Sequence, residues 1–178
     1  MKFVISITPE NASFLLQYML PTVKNEHRIT RGVIEAIPQS NADYRPDIHA
    51  KTAMEIAWHV AASEERFYSA IAAGAFDFAP IPRPESVQTP AQVGQWYGES
   101  FDKNFERFPN LSGEHLAKIL DFRGIFQLPA VSWFNFSLNH TIHHRGQLST
   151  YLRAMGGKVP PIYGQSYDSE AAKKSAQA

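Results

Sequence analysis

The 178-residue sequence contains no cysteine. This absence excludes disulfide bonds, thiolate metal ligands and a cysteine nucleophile, so a thiol could enter a reaction only with a substrate. The chain also has no excess of basic charge, because 17 Lys and Arg residues balance 17 Asp and Glu residues. Proteins that bind nucleic acid usually carry a basic surface, and we therefore expect no nucleic-acid partner.

Long apolar segments are missing as well, since no run approaches the roughly 20 residues that cross a bilayer. The opening MKFVISITPEN has one lysine and only a short apolar patch, which is too little for a secretory signal. We expect a cytoplasmic protein without a membrane partner. Its 44% hydrophobic and 12% aromatic residues are typical of a globular chain with a substantial core. We predict one domain over residues 1–167 and a polar, flexible tail over residues 168–178.

Capping residues and prolines predict four major helices. The first runs from Thr8-Pro9-Glu10 to Ile37, the second from Thr52 to Gly74, the third from Thr89 to about Arg107, and the fourth from Pro129 to Gly156. Pro21 predicts a kink in the first helix or a split into two, because its ring displaces the preceding turn. Residues 76–88 contain three prolines and predict a long crossover loop. Residues 111–128 predict a helical turn and then an irregular or short extended piece. The predicted fold is all-α, a four-helix bundle with its long crossover between helices two and three.

Histidines are concentrated in the sequence HTIHHRGQ, residues 140–147, which holds three of the seven. His140 and His144 are one helical turn apart, so their imidazoles can converge on one ion. A helical wheel places them on the aromatic side of their helix, the side expected to be buried. His59 is the candidate third ligand, because it is the only histidine in the middle of another helix with an Ala-rich packing surface. The alternative is a core histidine that is hydrogen-bonded to a neighbour.

The string NHTIHHRGQLSTYLRAMGGKVPPIYG, residues 139–164, closely resembles the C-terminal signature of the DinB family. A second signature is the helix-two histidine in Trp58-His59-Val60-Ala61, and the resemblance extends over nearly the whole chain to Tyr167. DinB proteins are four-helix bundles, related to the YfiT-like metal hydrolases and to the bacillithiol or mycothiol transferases. The resemblance implies that His59, His140 and His144 hold a divalent metal. It also suggests a homodimer, as does the number of aromatic residues.

Three neutral imidazoles leave an ion its double charge and at least one open coordination position. Sulfur ligands are lacking, so zinc, nickel, iron and manganese all remain admissible. One hypothesis is a metal-dependent enzyme that acts on a small molecule, such as a low-molecular-weight thiol. For it the resemblance implies a small-thiol transferase or a hydrolase. The other is a non-catalytic, stress-associated bundle whose ion joins helices two and four. A ferritin-like di-metal site is disfavoured, because it requires Glu-x-x-His on two helices. No catalytic residue is assigned.

Four polar residues near the proposed site have two readings each. Glu55 is a fourth ligand or general base, or it caps helix two. His143 binds substrate, or it is a partly exposed helix residue. Gln147 bonds a ligand or a metal-bound water, or it bonds the adjacent helix. Tyr163 closes the mouth of the site, or it packs the tail.

Five further residues carry simpler expectations. We expect Arg145 to form a surface or interface ion pair. Gly146 predicts a close approach by a neighbouring element, because glycine inside a helix costs about 1 kcal/mol relative to alanine. Positions in loops or at the surface are expected for His27, His49 and His115. His27 could face the cavity, but nothing in the sequence requires it.

Overall fold

Four long helices form the framework of the protein, which a computed structural model describes over residues 6–176. They are α1 (Pro9–Glu35), α2 (Ala53–Ala73), α3 (Pro90–Phe105) and α5 (Ser132–Ala154). The shorter elements are 3-10 turns at Gln39–Asn41 and Phe108–Asn110, α4 (Gly113–Ala117), strands β1 (Ile119–Phe122) and β2 (Phe126–Pro129), and α6 (Tyr167–Ala176). The predicted all-α class is confirmed. The N-terminal apolar patch at residues 1–5 and the last two residues of the predicted tail lie outside the described range.

Side-chain caps explain where the first three long helices begin. The hydroxyl of Thr8 accepts a hydrogen bond from the backbone at the start of α1. Thr52 and Glu55 form a reciprocal capping box on α2, and Thr89 and Gln92 form another on α3. Each box satisfies two N–H groups that the helix itself leaves unpaired. These starts agree with the sequence prediction, and the ends of α1 and α3 agree within about two residues.

Of the two outcomes predicted at Pro21, a kink or a split, the split is wrong, because α1 is one helix of 27 residues. Pro21 lies on the exposed side, where water can satisfy the carbonyl group that a proline leaves unpaired. The buried residues Leu16 and Val23 flank it and pack into the core. Packing on both sides of the proline therefore keeps the helix continuous.

The fourth long helix does not begin at Pro129 as predicted, but at Ser132. Pro129 ends β2, where it pairs with Ile119 in a two-stranded antiparallel hairpin. Backbone bonds from Ala130 to Lys118 (2.8 Å) and onwards to α4 hold the chain to the hairpin before the helix starts. The short extended piece expected between residues 111 and 128 is thus this hairpin, preceded by α4.

Within the described residues, the segment that the sequence predicted to be a flexible tail over residues 168–178 is helical as far as Ala176. Helix α6 is capped by Ser166, whose hydroxyl accepts from the backbone of Ser169 (3.1 Å). Asp168 accepts from the backbone N–H of Val159 (2.8 Å) and pairs with Arg153 at 2.7 Å. These local bonds order a segment that buries no side chain of its own.

The contacts between α2 and α3 show that the two helices run parallel. The rings of Trp58 and Trp96 lie 4.7 Å apart, and further along both helices Asn104 donates to Glu65 at 2.7 Å. Parallel neighbours cannot be joined by a tight turn, which accounts for the long loop over residues 76–88. The predicted crossover is therefore present. No helix within residues 6–176 is both long enough and apolar enough to cross a membrane.

Two apolar clusters fill the interior, one towards each end of the four helices. One contains Phe67 and Trp133, and the other contains Ile34 and Leu148. Between them, α1, α2 and α5 contribute a layer of buried polar side chains, namely Glu26, His27, Thr30, Glu64, Thr141 and Arg145. Three members of this layer are close in sequence to the candidate histidines. Glu64 follows His59 by five residues. Thr141 directly follows His140, and Arg145 directly follows His144.

Candidate metal centre

Three histidines from two helices form one group. His59 on α2 and His140 on α5 approach with their Nε2 atoms 3.1 Å apart. The ring of His144, one turn after His140, lies 4.6 Å from the ring of His59 and 4.5 Å from that of His140. One ligand nitrogen from each residue lies within 4.8 Å of the other two. The predicted residues are thus brought together, in a group that could hold a metal ion.

Antiparallel packing of α2 and α5 produces this convergence. His59 meets His144 near one end of the contact, and Phe67 meets Trp133 at 6.0 Å further along. The packing therefore places one turn of α5 opposite His59.

The arrangement of the nitrogen atoms fits a divalent ion. Two nitrogens bound to zinc at 2.0–2.1 Å in tetrahedral geometry lie about 3.3 Å apart, close to the observed His59–His140 spacing. Gln147 Oε1 lies 2.8 Å from His144 Nδ1. A carbonyl oxygen only accepts, so Nδ1 bears the proton and Nε2 keeps its lone pair for an ion. The buried Nδ1 of His140 makes no hydrogen bond within the described residues, so the cluster does not satisfy itself.

All three imidazoles are held in the neutral form that binds metals. Burial lowers the pKa of His140 to about 4, with further contributions from the charges of His144, His59 and His143. Burial also lowers the pKa of His59 and of His144. A metal must displace a proton from a charged imidazole but not from a neutral one. The site is therefore prepared for an ion at neutral pH.

A cavity of about 390 Å³ opens beside His59. It is bounded by α2 and the crossover loop, and it is lined by Lys51, Glu55, Trp58, His59, Ala62, Ile81 and Arg83. Small-molecule sites typically measure about 300–1,000 Å³. The histidine group therefore borders a space of the size that a small molecule needs.

The buried polar layer adjoins this group. Glu64, five residues after His59, lies 2.7 Å from Nδ1 of His27 and accepts a hydrogen bond from Tyr97 at 2.6 Å. His27 is only 6% exposed and stacks on Phe101, so its predicted surface position is wrong. The sequence signal for its burial is its spacing from Val23 and Ile34, which lie on the same side of α1.

Arg145 is also buried, which corrects the expected surface or interface ion pair. Its guanidinium donates to Glu26 Oε2 at 2.6 Å and to the Thr30 hydroxyl at 3.3 Å. Tyr163 accepts from Arg145 at 2.5 Å and donates to Glu26 at 3.0 Å. Tyr163 therefore fastens the segment after α5 to α1, in agreement with its tail-packing role, and it does not line the cavity beside His59.

The three remaining polar candidates, Glu55, Gln147 and His143, have different roles in the structure. The Glu55 carboxylate accepts from the Thr52 backbone at 2.8 Å, so the capping role is confirmed, although the residue also borders the cavity. Gln147 forms a hydrogen bond with the candidate ligand His144, which is one of the two roles predicted for it. His143 is exposed and lies outside the three-histidine group within the part of the chain that the structure describes.

The expectations for Gly146 and His115 are wrong. Gly146 is exposed, and a Cβ atom built there would meet nothing within 4 Å, so no element approaches it closely. His115 is half-buried on α4 and bonds the carbonyl oxygen of Ile71 at 2.6 Å. His49 is exposed outside the helices, as predicted.

Comparison with known proteins identifies the family of the chain. The sequence pattern of the DinB family matches residues 11–176, which is most of the chain. The chain belongs to the DinB family. The DinB-family chain is 27% identical over 144 residues to the uncharacterized protein YjoA of Bacillus subtilis, covering 78% of this chain and 90% of that protein.

Solved structures of DinB-like proteins share the fold. The crystal structure of YjoA superimposes with a TM-score of 0.69 at 21% identity, covering 84% of this chain and 99% of that one. A DinB-like protein from Bacillus cereus gives 0.68 at 20% identity, covering 82% and 95%. A structure described as a putative DinB-family member from Exiguobacterium sibiricum gives 0.57 at 22% identity, covering 86% and 96%. At these identities the likeness establishes the fold and does not assign a reaction.

Proposed function

We propose that this DinB-family chain binds one divalent transition metal through His59, His140 and His144, and that it is a metal-dependent enzyme acting on a small molecule. The observation that carries the proposal is a group of three neutral histidines, without a fourth His or acidic member in the described residues, beside a cavity. A closed structural site normally has four protein ligands. Three ligands and an adjoining cavity favour chemistry.

The chemistry supplied by such an ion is Lewis acidity, which lowers the pKa of a coordinated water or thiol and polarises an oxygen. The chain's own residues prepare the site. Burial keeps the imidazoles unprotonated, and Gln147 fixes the tautomer of His144. The absence of cysteine means that a thiol could enter only with a substrate. We therefore propose that the protein activates a low-molecular-weight thiol or a water, as a transferase or a hydrolase.

Cobalt substitution tests whether the site is open. Cobalt-loaded protein should change its visible spectrum when azide, a hydroxamate or a thiol is added, and a thiol should add an intense near-ultraviolet band. A response to the thiol alone would favour the transferase, whereas a response to azide shows access to the ion. If cobalt enters the site and its spectrum ignores all three additions at millimolar concentration, the ion is structural and the enzymatic proposal is wrong.

His143→Ala is the matched control for this experiment. His143 lies on the same turn of α5 but outside the group, so the variant should load cobalt and respond as the wild type does.

The homodimer and the cytoplasmic location stay predictions. A monomer mass by light scattering at micromolar concentration would contradict the former.

A further inference from the structure

Two basic side chains border the cavity beside His59. Lys51 precedes the cap of α2, and Arg83 lies on the crossover loop, and both are exposed. Neither forms an ion pair with any residue in the described range 6–176. The one acidic residue that lines the cavity, Glu55, keeps its negative charge while its carboxylate accepts a hydrogen bond from the backbone of Thr52. Two cations and one carboxylate therefore leave the lining of the cavity with a net charge of +1.

Lys51 and Arg83 line the same cavity as His59, a member of the histidine group. A bound ion would add two positive charges on the same side. Such a field attracts an anion into the cavity.

Trp58 and Ile81 form an apolar part of the cavity wall, and this part is held in place. The indole N–H of Trp58 donates to the carbonyl oxygen of Ile81 at 3.3 Å, which ties the wall to the crossover loop. Arg66 holds the same loop by donating to the carbonyl oxygens of Asp77 (2.6 Å) and Ala79 (3.1 Å). Arg83 therefore extends from an anchored segment. With its N–H occupied, Trp58 offers the cavity an apolar surface.

We propose that the substrate of this site is a small anion, bearing a carboxylate or a phosphate that Lys51 and Arg83 bind and an apolar body that lies against Trp58. The inference rests on the proposed function for the role of the histidine group as the reacting centre. Recognition of the anion is a property of Lys51 and Arg83 alone. It can therefore be tested on metal-free protein as well as on loaded protein.

The test is calorimetric titration of metal-free and cobalt-loaded full-length protein with benzoate, phenyl phosphate and the uncharged benzamide. Benzoate or phenyl phosphate should bind more tightly than benzamide, and the tighter of the two anions identifies the headgroup. Lys51→Gln and Arg83→Gln should each weaken anion binding about tenfold, the order expected for one lost charge-assisted hydrogen bond. Benzamide binding should not change, and Lys51→Arg should retain anion binding.

Arg107→Gln is the matched control. Arg107 is an exposed cation just beyond the C-terminal end of α3, whereas Lys51 lies at the N-terminal end of the parallel helix α2. The control should bind benzoate as the wild type does. Equal binding of benzoate and benzamide, undiminished anion binding in both Gln variants, or no anion binding at millimolar concentration overturns the inference.

The outcome is separable from that of the proposed function. If the protein takes up no cobalt but still discriminates benzoate from benzamide through Lys51 and Arg83, the metal proposal fails and the anion site stands. If cobalt binds and responds to azide without any such discrimination, only the anion site fails.

Discussion

The buried ion pair between Arg145 and Glu26 gives a sharp prediction about the role of the arginine in HTIHHRGQ. Arg145 follows the candidate ligand His144 directly, but its guanidinium points to α1 and not to the histidine group. We predict that Arg145→Met destabilises the fold while leaving metal binding in place. The residue then acts by joining α5 to α1, and it does not take part in the chemistry.

The magnitude follows from burial. The two side chains are 2% and 8% exposed and their atoms lie 2.6 Å apart. Removing one partner of a buried pair leaves the other charge without compensation, which costs about 3–5 kcal/mol. For a chain of this size, that lowers the melting temperature by roughly 6–20 °C. Replacing both residues, as Glu26→Gln with Arg145→Met, should recover part of the loss because no buried charge remains.

Urea denaturation at neutral pH, with metal content measured in parallel, tests this prediction. Arg31→Met is the control, because Arg31 and Glu35 form an i,i+4 pair at 43% and 40% exposure. An exposed pair contributes about 0–1 kcal/mol. A loss below about 1 kcal/mol for Arg145→Met would refute the reasoning about burial. Loss of bound metal from a variant that remains folded would refute its separation from the site.

Two further predictions concern α5, and Gly113 on α4 supplies the contrast for the first of them. Gly146→Ala should raise the free energy of unfolding by about 0.5–1 kcal/mol, because alanine is the better helix former and its Cβ meets nothing within 4 Å. Gly113→Ala should lower the free energy of unfolding, because its Cβ would lie 2.4 Å from the carbonyl oxygen of Pro9. Equal midpoints for the two variants would be inconsistent with this account. The folded pKa of His140 lies below its ordinary value, so the unfolded state takes up the proton first as pH falls from about 6.5 to about 4. Metal-free protein should therefore lose on the order of 1 kcal/mol between pH 7 and pH 5, a figure that allows for solvent screening of the half-buried ring, and His140→Gln should lose less; an equal loss in both would contradict the assignment.

Local signals in the sequence were sufficient to predict the starts of α1, α2 and α3 and the shared face of His140 and His144. Thr52 and Glu55 form a capping box through residues three apart, and His140 and His144 share a face through residues four apart. Both relations depend only on helix geometry. His59 was identified because its helix is rich in alanine, and the packing of α2 against α5 brings it to the pair.

The buried polar layer could not be predicted in the same way. A helical wheel gives the direction of Arg145 on its own helix, but it does not show which other helix lies on that side. In the fold, α1 covers that face of α5 and supplies Glu26. The helical spacing of His27 indicates its burial, but its partner Glu64 could not be predicted, because it lies 37 residues away. Pro129 was misassigned because a proline can end a strand as well as begin a helix.

Metal stoichiometry in the histidine variants tests the central claim most directly. Protein prepared without a histidine tag would be loaded with zinc, dialysed, and measured for zinc per chain by mass spectrometry. We predict one ion per chain in the wild type and in His143→Ala, and a loss of most of the zinc in His59→Ala, His140→Ala and His144→Ala. If all three of these variants retain one ion per chain while folded, the metal does not lie between α2 and α5, and the account is wrong.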